Sequence, residues 1–157
     1  MSSIYNSENI SVRLIVPSDT YILRQKILRP KQHISEMDFP GDKDNDTSHF
    51  GLIVDNCLRG IASIYKEDYP GSRKNDTYRL RGMAIDNGLR GKGYGKLLLE
   101  EVEESLRKKD ARYLWCNARI HATGFYERMG FKIKGRPFDI PGIGEHYLMI
   151  HAIRFYL

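Results

Sequence analysis

Residues Arg90, Gly91, Lys92, Gly93, Tyr94, Gly95 and Lys96 alternate cations or an aromatic with three glycines. Such a stretch suits phosphate. Glycine lets the main chain turn sharply and lets a ligand approach its amides closely. The apolar run Met83, Ala84, Ile85 leads in, and an amphipathic helical pattern over residues 96–109 leads out. The turn therefore joins a strand to a helix. The first amides of a helix have no partner inside it and point away from its start. The helix dipole adds partial positive charge there. An anion is expected on the amides of residues 91–96, with Arg90 and Lys92 supplying charge outside the amide cradle. Lys92 and Lys96 read equally well as solvated charge.

Two common phosphate loops fail to match. A P-loop ends in Gly-Lys followed by Ser or Thr, the hydroxyl holding magnesium. Here Gly95-Lys96 is followed by Leu97, and Arg90 stands where the first glycine belongs. A dinucleotide fold requires G-x-G-x-x-G. Gly91 and Gly93 are followed by a glycine two places on, not three.

The elements that must position this turn can be read along the chain. Residues 1–9 are polar and read as a frayed end. Residues 10–16 alternate as a first strand, with Ile10, Val12, Leu14 and Val16 on one face. Ser18 is the expected N-cap of a helix from Asp19 to about Arg29, with Ile22, Leu23 and Ile27 on one side. Pro30 closes it. Residues 31–48 lose all periodicity and are turn-rich and acidic. Strands follow at 49–55 and 58–66, joined at Asp55-Asn56, and then at 77–86.

In the helix after the glycine turn, Leu98, Val102 and Leu106 share one face. A strand at 112–117, a short helix at 121–129 capped by Gly130, and strands at 131–136 and 145–155 complete the order. Consecutive antiparallel strands mixed with strand–helix–strand units predict an α+β (α/β mixed) fold. The strands either side of the long helix should be parallel.

The 157 residues suit a single domain, 1–157, and 41% apolar with 29% charged residues is ordinary for a globular chain. No run approaches the roughly 18 apolar residues of a membrane span. Residues 1–6 carry no basic region or apolar core of a secretory signal. Cys57 and Cys116 lie far apart without metal-type spacing, so no metal site and a reduced, cytoplasmic setting are expected. The net charge of +5 is compatible with nucleic acid or a phosphorylated small ligand. The cations are scattered among acids, without a basic stripe carrying stacking aromatics, which disfavours nucleic acid.

Arg90, Gly93 and Gly95 also match R/Q-x-x-G-x-G/A, and a second block lies one strand and one helix further on. Asn117, Ala122, Phe125, Tyr126, Glu127, Gly130 and Phe131 follow the pattern N-x(n)-A-x-x-F-Y-E-x-x-G-F. In these two blocks the chain resembles the GNAT superfamily of acetyl-coenzyme A-dependent N-acetyltransferases, most strongly over residues 78–134. Leu28-Arg29-Pro30 and residues 141–146 are similar to segments of small bacterial members.

The resemblance implies a central mixed, mostly antiparallel sheet with a splayed parallel pair, flanked by helices: the acyl-CoA N-acyltransferase fold. It implies acetyl-CoA as donor and an amine as acceptor, with no metal, no nucleic acid and no membrane partner, and it allows a homodimer. The pantetheine arm would lie in the splay. Met83, Ala84 and Ile85 would offer backbone groups, one near the thioester carbonyl. Asn117 would contact the arm, and Tyr126 stands where members often place the acid that protonates the departing thiolate.

Histone-type members carry a glutamate base on the strand before the glycine turn, and Arg79 stands there instead. Glu36, Asp38, His49, Glu67, Glu145 and His146 are the remaining base candidates. Glu36, Asp38, Asp42, Asp44 and Asp46 would form either an acidic acceptor wall suited to a cationic amine or a solvated loop. A non-catalytic acyl-CoA binding module is the alternative function.

Overall fold

The structure, a computed structural model, describes residues 9–155. Of the polar stretch 1–9, only Asn9 falls among them, its amide donating to the Asp55 carboxylate at 3.0 Å. Among the described residues seven strands form one sheet: β1 Ile10–Ile15, β2 Ser48–Val54, β3 Cys57–Lys66, β4 Thr77–Ile85, β5 Tyr113–Arg119, β6 Lys132–Ile140 and β7 Gly144–Ala152. Their order is β1-β2-β3-β4-β5-β7-β6. Every neighbouring pair is antiparallel except β4 and β5. The β2–β3 hairpin turns through Asp55 and Asn56, both at positive φ (49° and 68°), the two-residue geometry whose twist matches that of the flanking strands.

Helices cover both faces. On one, α2 (Tyr94–Lys108) buries Leu98, Leu99, Val102 and Leu106 against Ile64, Leu80, Leu114, Cys116 and Met149. Each such side chain contributes about 1.5–3 kcal/mol on burial, so the helix is firmly seated and its N-terminus is fixed relative to β4. The short α3 (Thr123–Arg128) packs on the same face beside β5, and Gly130 (φ 98°) ends it as the sequence predicts. On the other face lies a helical run built from a 3-10 turn at Pro17–Thr20, α1 at Tyr21–Leu23 and a wider π-wound segment at Arg24–Leu28. Leu23 there packs with Ile61 and Ala84.

That run departs from the amphipathic helix expected over 19–29. Ser18 is not its cap. The Asp19 carboxylate takes the Val16 amide instead, at 3.1 Å. Ile22 does not share Leu23's side and is 68% exposed, because the widened turn rotates Arg24, not Ile22, into the interior. In β1, Ile10 and Val12 pack beneath Leu89 and Tyr94, but Leu14 and Val16 of the same predicted face stay exposed beyond the reach of α2. Strand β6 runs to Ile140, four residues past its expected end. A register irregularity between Lys134 and Phe138 carries it across the exposed Gly135-Arg136-Pro137.

Candidate active site

The parallel pair defines the site. β4 and β5 align only at Thr77 with Tyr113, Tyr78 with Leu114 and Arg79 with Trp115. Beyond Arg79 and Trp115 the two strands part. The sheet register explains where β4 turns away. Ile61 faces Ala84 and Ser63 faces Arg81, so β4 carries one residue more than β3 across this interval. The extra residue is a bulge at Gly82, whose φ of 64° favours glycine. An isolated glycine inside a strand pattern was the sequence signal for it. The bulge puts Ala84 in the cluster with Leu23, while Met83 and Ile85 pack toward α2. Asp86 then anchors the strand end: its carboxylate meets Lys26 Nζ at 3.2 Å and Arg59 Nε at 3.0 Å.

The glycine turn follows directly, and its three glycines do different things. Gly91 and Gly93 sit at φ of 78° and 82°, and a Cβ on either would meet nothing within 4 Å. They are glycines for backbone conformation, and they leave the cradle open. Gly93 is the N-cap residue of α2. Gly95 is different. A Cβ there would lie 3.0 Å from Phe125 Cζ, so its smallness lets α2 and α3 close over the parted strands. Tyr94 is buried with Leu52, Val54 and Leu89 and acts as a core anchor for the turn. Arg90, Lys92 and Lys96 are exposed, and Lys96 lies 3.8 Å from Glu100 one helical turn on.

On the far lip, β5 alternates. Leu114, Cys116 and Ala118 enter the α2-side core, so Trp115, Asn117 and Arg119 take the opposite face. Asn117 lies two residues past the last β4 pairing, half-buried, and its side-chain amide has no hydrogen-bond partner among the described residues. Tyr126 packs edge-on between Phe125 and Phe131, with centroids 5.2 Å away on each side. Its hydroxyl lies 3.8 Å from Met83 Sδ, on the β4 lip. Burial, and then the neighbouring Cys116, raise the phenol above its ordinary value, so it is a neutral donor. Cys116 is buried and its thiol is pushed up to about 12 by desolvation, which makes it an inert core residue.

Asp42 takes no part in an acidic wall. Asp42 is buried and accepts from Arg24 Nη1 at 2.5 Å, Arg24 Nη2 at 3.0 Å, the Phe39 amide at 2.9 Å and the Tyr65 hydroxyl. Burial alone would raise its carboxyl; the donors outweigh that and hold it below its ordinary value. Asp38 is turned to Tyr21 and Lys43, Glu36 to the His33 amide, and Asp44 and Asp46 are exposed. Among the base candidates, His49 is locked inside by Ser63 Oγ at 2.6 Å and the Asp42 carbonyl at 2.8 Å. Glu67 pairs with Arg79 at 3.5 Å. His146 is buried, donates Nδ1–H to the Gly144 carbonyl at 2.7 Å, and sits opposite Arg119.

A mixed sheet whose one parallel pair among the described residues opens beside a glycine-capped helix start defines a class: acyl-coenzyme A N-acyltransferases. The residues fit a coenzyme A ester, since the cradle at Gly91 and Gly93 is unfilled and a partner-free amide, Asn117, lines the opening. The Acetyltransferase (GNAT) family model matches residues 16–131, and the chain belongs to that family, whose members use acetyl-CoA as cosubstrate. It is 39% identical over 145 residues to the uncharacterized N-acetyltransferase YitI of Bacillus subtilis, covering 92% of this chain and 97% of that one. Among solved structures, Escherichia coli ElaA superposes with a TM-score of 0.73 at 19% identity, over 91% of this chain and 99% of that chain. The ribosomal-protein-S18-alanine N-acetyltransferase of Escherichia coli gives 0.73 at 19% identity, over 95% and 97%. At such identities these two likenesses speak to the fold alone.

Proposed function

We propose that this enzyme transfers acetyl from acetyl-CoA to a primary amine by direct attack in a ternary complex. The observation that carries the reading is the opening beyond Arg79 and Trp115, with the Gly91–Gly93 cradle at one end and the Tyr126 hydroxyl at the β4 lip. The pyrophosphate would rest on the amides of residues 91–96, with Arg90 and Lys92 in reach as exposed cations. Backbone groups of Met83, Ala84 and Ile85 and the free amide of Asn117 would align the pantetheine arm. An amide of the bulged strand would stabilise charge developing on the thioester oxygen.

Tyr126 would donate its phenol proton toward the departing sulfur. Its raised pKa keeps it protonated at neutral pH, and exclusion of water strengthens the hydrogen bond it gives. The incoming ammonium must shed a proton, its ordinary pKa being about 10. His146, on the strand beside β5 and opposite Arg119, would receive it. The inert Cys116 argues against an acetyl-enzyme.

Calorimetry with acetyl-CoA and a free-thiol assay over an amine panel test this. Micromolar binding with amine-dependent thiol release is expected. Binding without any release would instead favour an acyl-CoA binding module. Tyr126→Phe should lower kcat about 10²–10⁴-fold while leaving acetyl-CoA affinity intact; full turnover would remove Tyr126 from the chemistry.

A further inference from the structure

The face of the sheet opposite α2 gathers guanidinium groups around one ring. Phe39, buried in the irregular segment, has Arg24 at 4.1 Å, Arg81 at 4.5 Å and Arg29 at 4.7 Å from its centroid. Arg24 is neutralised by Asp42. Arg29 and Arg81 are not neutralised. Both are half-buried, and neither guanidinium makes a hydrogen bond or an ion pair with any described residue. Glu36 is the carboxylate whose charge reaches Arg29, and it is engaged by the His33 amide.

Arg119, also half-buried, donates to the Leu28 carbonyl at 2.7 Å and has no acid partner among the described residues. The three lie around the opening of the sheet. Arg81 directly precedes the Gly82 bulge on the β4 lip. Arg119 follows Asn117 on the β5 lip, on the same face. Arg29 ends the helical run that bridges them through the Leu28 contact.

Holding like charges together while partly desolvating them costs stability, and a bound anion would offset that cost. The Phe39 ring attracts guanidinium but accepts no hydrogen bond of useful strength from it. The planar fork of arginine matches an oxyanion. We propose that Arg29, Arg81 and Arg119 bind an oxyanion carried by the acceptor itself, so that the substrate is an amine that also bears a carboxylate or phosphate group, not a polycation. This rests on the acetyltransferase reading for the identity of the opening, but its charge argument does not depend on turnover.

The test uses the intact enzyme with matched amines: dipeptides with a free C-terminal carboxylate against their C-terminal amides, an aminoalkyl phosphate, and a polyamine. A KM at least tenfold lower for the carboxylate or the phosphate than for the uncharged partner is expected, and which of the two leads identifies the oxyanion. Arg81→Gln and Arg29→Gln should shrink that ratio toward one, whereas Lys43→Gln, an exposed lysine of the same segment, should keep it. Equal use of the amide, the carboxylate and the phosphate, or preference for the polyamine, overturns the proposal. Where no amine is turned over, the same pairs are titrated calorimetrically into the coenzyme A-loaded protein. Preferential binding of the anionic member supports the proposal, and equal or absent binding overturns it. Failure to bind acetyl-CoA counts against the acetyltransferase reading instead, and the anionic probes are then titrated into the free protein with the same two outcomes.

Discussion

The glycine turn at residues 90–96 and the irregular segment at residues 31–47 both border the opening in the sheet, and they are built in opposite ways. The turn works through its main chain. Its charged side chains are exposed, Gly91 and Gly93 supply positive φ, and Tyr94 alone is buried to hold it down. The other segment works through its side chains. Met37, Phe39 and Asp42 are buried, and Arg24 crosses from the helical run to bind the Met37 carbonyl and Asp42 together. A main-chain device is local and tolerates changes at exposed positions. A side-chain network fails as a unit when one member is lost.

The sharpest way to break that contrast is Asp42→Asn. It leaves the fully buried Arg24 without its counter-charge and should cost about 3–5 kcal/mol in urea unfolding. A loss under about 1 kcal/mol would mean the segment is not anchored there. Gly93→Ala comes next. Forcing a Cβ to φ 82° should cost about 1–2 kcal/mol, because the surrounding space is empty and strain is the only penalty. Calorimetry should also find weaker acetyl-CoA binding, and unchanged affinity would reduce the turn to a plain connector.

Acid should separate the regions further. Asp42 is held below its ordinary value, so its contribution is present above the unfolded carboxyl pKa of about 4 and is lost as pH falls through the lower folded value. The stability gap between the natural protein and Asp42→Asn should therefore be constant from neutral pH to about pH 4 and narrow below it. A gap that closes well above pH 4 would contradict the buried pair. The smallest effect is expected for Lys96→Ala. Its exposed pair with Glu100 should contribute no more than about 0.5 kcal/mol, and a larger loss would place side-chain energy in the turn after all.

What could be read from the sequence follows the same division. The turn, the hairpin at Asp55-Asn56, the Gly130 cap and the apolar face of α2 depend on neighbours a few residues away, and each lies where the local pattern places it. The GNAT blocks inherit that legibility because they are strand-end and helix-start motifs. Ser18, Ile22 and Leu14 depart from the local pattern because distant partners override local preference: the π-wound turn serves the Arg24–Asp42 pair, and α2 stops short of Leu14. Asp42 illustrates the limit most clearly. In sequence it is one acid among five on a turn-rich stretch; in the fold it is the buried acceptor for a residue eighteen positions earlier.

By itself, then, the sequence determined a mixed sheet, a glycine turn ahead of a long helix, and Asn117 and Tyr126 in a recognisable frame. These features are encoded by backbone geometry and short-range periodicity, which a linear pattern carries. Only the tertiary structure decided the face opposite α2. It buried Asp42, placed the bulge at Gly82, and brought Arg29, Arg81 and Arg119 from three separate segments to one face. Charge compensation acts through space, and no spacing along the chain records which acid neutralises which base.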